Sequence, residues 1–82
     1  MIRSGESIFT SLDSDRIACV ICGRALNIRN GYDRAIHGRG HVNSGQATES
    51  MSGMRDGRHK YEYTLTERGA AAANLRLVRG AA

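Results

Sequence analysis

Hydrophobic positions along the chain fall into four groups separated by turn-forming residues. The first, within residues 6–18, contains Ile8, Phe9, Leu12 and Ile17. Its 8, 9, 12 spacing predicts one helical turn, and Asp13-Ser14-Asp15 after it reads as a turn or cap. The second, Ile17-Ala18-Cys19-Val20-Ile21-Cys22-Gly23-Arg24-Ala25-Leu26, is an apolar, β-leaning run broken by a tight turn. The third runs from Tyr32 through Arg34, Ala35, Ile36 and His37 to His41 and Val42, then gives way to the polar stretch Asn43-Ser44-Gly45-Gln46. Gly38 and Gly40 each cost a helix ~1 kcal/mol, so this piece reads as a helix or a loop. Gly53 marks a second loop.

The fourth group has the clearest periodicity. Tyr61, Tyr63 and Leu65 alternate with Glu62, Thr64 and Thr66, which is the period-two pattern of a half-buried strand. Asp56-Gly57 ahead of it is a hairpin turn signal, and Gly53-Met54-Arg55 leads into the partner strand. Thr66 then offers a hydroxyl as an N-cap, and Glu67 sets negative charge in the first helical turn. Ala70 to Ala73, followed by Leu75, Leu77 and Val78, carries a helix to its end at Gly80. The pieces add up to a small α+β domain spanning residues 1–82. Its parts are an N-terminal segment (1–18), a cysteine–histidine module (19–41), and a β-hairpin with a C-terminal helix (53–80).

Size and composition change this picture in one respect. A chain of 82 residues buries only about 60–65% of the surface it exposes when unfolded, so its stability is marginal without help. Hydrophobic residues make up 40%, with one Phe, three Tyr and no Trp, and ten glycines raise the entropy cost of folding. Such a chain needs a staple: a metal, a disulfide or a second copy. The mean hydropathy of −0.42 and the lack of a long apolar run predict a soluble chain with no membrane association, expected in the cytoplasm.

The staple is legible as Cys19-x-x-Cys22-Gly23 followed by His37-x-x-x-His41. Two cysteines two residues apart can aim both thiolates at one ion, with Gly23 free to adopt positive φ beside the sulfurs. Two histidines at i and i+4 share a helix face and can present ring nitrogens to a common point. Together they supply the four ligands of a closed zinc site. The alternatives are a redox pair of cysteines, for which no thioredoxin-like unit follows, and surface histidines. His59, beside Lys60, is a spare ligand should one of the pair point away. Four protein ligands leave no open position for water, so no enzyme is expected.

With these residues in view, Cys19, Cys22, His37 and His41 resemble the two-cysteine, two-histidine zinc finger, in which a β-knuckle precedes a metal-binding helix. The resemblance covers about a quarter of the chain. It implies a structural zinc and, in that family, often a helix that reads DNA. A second resemblance lies in residues 55–69. Tyr63-Thr64-Leu65-Thr66-Glu67-Arg68-Gly69 is similar to the run after the wing of winged-helix transcription regulators, in which a basic hairpin tip touches the DNA backbone.

Charge points toward anionic partners. The formal charge is +4, and Lys60 is the single lysine against eleven arginines. Arginine forks onto phosphate and stacks on bases. Residues 19–47 hold Arg24, Arg29, Arg34 and Arg39 against Asp33 alone, and Arg55, Arg58 and Lys60 gather near the hairpin tip. These seven are the candidate contacts to nucleic acid, DNA in preference to RNA. The alternative is a phage or mobile-element-type adaptor or inhibitor of a host protein. There the arginines meet an acidic protein surface, and the C-terminal helix with Leu75, Leu77 and Val78 is a candidate homodimer or partner face.

Overall fold

The computed structural model describes residues 1–55 and 57–80, with the side chains of residues 55, 58 and 80 left aside. Asp56 of the expected Asp56-Gly57 turn lies outside the described residues, as do the side chains of the candidate contacts Arg55 and Arg58. The fold is α+β. Strands β1 (Phe9–Ser11), β2 (Arg16–Cys19) and β3 (Ala25–Asn27) form a three-stranded antiparallel sheet in chain order. Helix α1 (Gly31–Asn43) follows, then strands β4 (Ala47–Arg55) and β5 (Arg58–Leu65) as a two-stranded antiparallel ribbon, and helix α2 (Glu67–Gly80). No described helix is long and apolar enough to cross a membrane.

Two expectations are corrected. The helical turn expected around Ile8, Phe9 and Leu12 is strand β1. The backbone there is claimed by longer-range partners: Phe9 and Thr10 lie opposite Cys19 and Ala18, and the segment before them is held by β5. Asp13 does make the turn, its Oδ1 accepting from the amides of Asp15 and Arg16 at 2.9 Å each. The second correction concerns Gly53, which marks no loop. It sits inside β4 with φ of 149°, beside a bulge between Met51 and Gly53, and the strand begins at Ala47. A glycine inside a strand is a frequent sign of such a bulge.

Residues 5–8 join the two sheets. The Gly5 amide donates to the Leu65 carbonyl at 2.8 Å, the Leu65 amide donates to the Glu6 carbonyl at 2.8 Å, and the Ile8 amide donates to the Tyr63 carbonyl at 3.1 Å. The Ile8 carbonyl in turn accepts from the Val20 amide at 2.8 Å. Ile8 thus hands hydrogen bonds from the ribbon to the small sheet, and its side chain is fully buried. Farther along, Asn74 of α2 clamps Ile2 by accepting from its amide at 2.9 Å and donating to its carbonyl at 2.8 Å.

The main core gathers Ile8, Cys19, Ile21, Ala47, Tyr63, Leu65 and Ala70. Tyr63 and Leu65 are buried and Tyr61 half-buried, as the alternation of the fourth group predicts. Helix α2 starts as expected, the Thr66 hydroxyl accepting from the Gly69 amide at 3.1 Å. It packs through Ala70 and Ala73, small residues that let it sit close, and leaves Leu75 and Val78 exposed at 52% and 71%.

Tyr63 organises the contact between the ribbon and α1, which packs chiefly along β4. A Cβ on Gly38 would stand 2.6 Å from Cγ of the Tyr63 ring, so only glycine lets the helix approach this closely. The Tyr63 hydroxyl donates to Glu49 at 2.7 Å, and Arg39 of α1 donates to the same carboxylate at 3.3 Å. Burial, with the Glu49 hydrogen bond, pushes the Tyr63 phenol up to about 12, while the same bond holds Glu49 below its ordinary value.

The two helix glycines therefore differ in consequence. Replacing either with alanine gains up to ~1 kcal/mol of helix propensity. At Gly38 the added methyl group meets the Tyr63 ring and costs ~1–3 kcal/mol of overpacking, whereas at Gly40 nothing lies within 4 Å. In urea denaturation, Gly38→Ala is expected to unfold at lower denaturant and Gly40→Ala at higher denaturant than the parent chain.

Candidate metal centre

The cysteine pair sits where β2 turns into β3. Cys19 is the last residue of β2, and the turn that follows closes when the Gly23 amide donates to the Cys19 carbonyl at 2.7 Å. The Cys19 amide donates to the Arg24 carbonyl at 2.9 Å, which brings the chain back into β3. Gly23 has φ of 81°, the left-handed conformation that the tight return requires. Cys19 is fully buried, and Cys22, three residues later, is exposed. The backbone amides of Cys22 and Ile21 lie on the side of Cys19 that favours negative charge on its sulfur. They favour its thiolate and oppose the larger effect of burial, which pushes the thiol up.

The histidine pair comes from α1, settling the helix-or-loop alternative as helix. Asn30 caps its start, its Oδ1 accepting from the Asp33 amide at 3.2 Å. His37 and His41, four residues apart, lie on the face turned toward the knuckle, with ring centroids 4.9 Å apart. The Phe9 ring lies 6.1 Å from that of His37. Burial lowers the pKa of His37, with smaller contributions from His41 and Arg24, and so favours its neutral imidazole.

The two pairs converge. One donor atom from each of Cys19, Cys22, His37 and His41 lies within 4.8 Å of every other, and this group could hold a metal ion. Cys19 Sγ is 3.4 Å from His41 Nε2, Cys22 Sγ is 3.2 Å from His37 Nε2, and the two Nε2 atoms are 3.3 Å apart. Both histidines thus present the same nitrogen inward. His59 is not part of this group: it lies exposed on β5 opposite Met54.

The arginines expected around the module take different roles. Arg34 is half-buried, with its guanidinium 5.3 Å from the Phe9 ring centroid and 5.9 Å from that of Tyr63. It also donates to the Tyr61 carbonyl at 3.0 Å, so it braces the core. Arg39 is engaged with Glu49, and Arg29 approaches Asp15 at 3.8 Å. Arg24 is exposed at the knuckle near His37, and Lys60 is exposed on the ribbon. Arg76 of α2 lies across the knuckle, donating to the Val20 carbonyl at 3.1 Å.

One residue of the site has no sequence signal. Gln46, in a polar stretch that reads as a loop, brings its Oε1 within 2.8 Å of His41 Nδ1. Comparison with known proteins finds no matching family model, no matching curated protein and no matching solved structure, so the chemistry of the site rests on its own geometry.

Proposed function

We propose that Cys19, Cys22, His37 and His41 hold one structural zinc ion, and that the protein is a small non-enzymatic module that binds nucleic acid, with a role in transcription regulation. The observation that carries the metal assignment is the set of distances between donors. Zinc–nitrogen bonds of about 2.0–2.1 Å and zinc–sulfur bonds of about 2.3 Å in a tetrahedron give nitrogen–nitrogen edges of about 3.4 Å and sulfur–nitrogen edges of about 3.6 Å. The donors stand 3.3 Å apart for the nitrogens, and 3.2 and 3.4 Å apart for the mixed pairs. Two sulfurs and two imidazoles are a donor set suited to zinc. Bound there, zinc would supply a cross-link between knuckle and helix and take up both cysteines as thiolates.

A closed four-ligand site leaves no position for a substrate or an activated water, which supports a structural role. The nucleic-acid reading is supported by the +4 charge carried by arginine and by the β4–β5 ribbon. Residues 50–54, 57, 59 and 60 of that ribbon are all exposed. The alternative role as an adaptor on a host protein is favoured by one feature, the outward Leu75, Leu77 and Val78 of α2.

Elemental mass spectrometry of the purified protein is expected to give one zinc per chain, with little or none in His37→Ala and His41→Ala; a zinc-free parent chain overturns the metal assignment. Binding to duplex DNA is expected to weaken with salt, with a log–log slope of about −0.9 per phosphate contact. A flat salt response, together with a protein partner that survives nuclease treatment in a pull-down, would transfer the reading to the adaptor.

A further inference from the structure

We infer that Gln46 is the positioning residue of the metal centre, fixing which nitrogen of His41 faces the ion; this rests on the zinc reading above. An amide oxygen only accepts hydrogen bonds. The 2.8 Å contact between Gln46 Oε1 and His41 Nδ1 therefore puts the imidazole proton on Nδ1. A neutral ring carries one such proton, so Nε2 is left with a bare lone pair. It is this Nε2 that stands 3.4 Å from Cys19 Sγ and 3.3 Å from His37 Nε2.

Gln46 is able to do this because its backbone is held on both sides. Its amide donates to the His41 carbonyl at 2.9 Å, and its carbonyl accepts from the Thr66 amide at 3.2 Å. Gly69, in the first turn of α2, passes so close to that carbonyl that a Cβ there has no room. Thr66 adds a second tie, its hydroxyl donating to the Gly45 carbonyl at 2.6 Å. The start of α2 thus locks the short turn between α1 and β4, and the turn aims one side chain at one ligand. Partners of this kind are worth about 10–100-fold in metal affinity.

The test is zinc affinity by competition with a chromophoric chelator, on the full chain and two variants. Gln46→Ala is expected to bind zinc about 10–100-fold more weakly, and Gln46→Glu, which keeps an acceptor oxygen at the same reach, is expected to restore parental affinity. Unchanged affinity in Gln46→Ala, or equal loss in both variants, overturns the inference. A second measurement needs no variant and decides the matter should Gln46→Ala fail to fold. In the zinc-loaded parent chain with ¹⁵N-labelled histidine, long-range proton–nitrogen spectra should show His41 protonated at Nδ1 and bound through Nε2. Binding through Nδ1 overturns the role of Gln46 while leaving the zinc site standing, whereas a parent chain that takes up no zinc removes both.

Discussion

Four side chains, Cys19, Cys22, His37 and His41, stand where the turn after β2 meets helix α1, and the rest of the fold is arranged to bring them there. Helix α1 packs chiefly along β4, not along the small sheet. On the apolar side the small sheet is tied to the body by Ile8, Cys19 and Ile21. A join of that size gives little, because each buried aliphatic side chain contributes only about 1.5–3 kcal/mol and the backbone it orders costs a comparable amount per residue. Sulfur and imidazole packed together without an ion would add almost nothing to that. An ion held between them would cross-link the knuckle to the helix.

The remaining architecture serves the approach of knuckle to helix. Gly38 lets α1 lie flat on the Tyr63 ring, and Arg39, Glu49 and the Tyr63 hydroxyl fix the register of helix against ribbon. Arg34 fills the space between Phe9 and Tyr63. On the other side, the Ile8 carbonyl bonds to Val20, just before the turn that carries Cys22. Arg76 holds the Val20 carbonyl from α2. A shift of α1 by even a fraction of a turn would carry His37 and His41 away from the sulfurs together.

Local chemistry made some of this readable in the chain and left some of it hidden. The Cys-x-x-Cys-Gly turn, the alternation of Tyr61, Tyr63 and Leu65, and the Thr66 cap are set by near neighbours, and each is found where its spacing puts it. The histidine spacing was likewise readable, although whether its two glycines permit a helix was not. Gly38 answers that through a ring twenty-five positions away, a contact no local pattern encodes. The strand at Phe9 departs from the helical turn its spacing predicts for the same reason, since its partners are Cys19 and, through Ile8, Tyr63. Gln46 was invisible because its meaning depends on where α2 anchors the turn. Arg34 and Arg39 counted as surface charge in the sequence and are engaged by the core and by Glu49 in the structure.

If the four donors share one ion, their convergence decides whether the chain folds. The most direct measurement is thermal unfolding, followed by circular dichroism, of protein freed of metal by a chelator under reducing conditions and then titrated with zinc. A weak or absent cooperative transition is expected without metal, and a sharp one is expected to return at one equivalent. An equally sharp transition at the same temperature in the metal-free chain would contradict this expectation.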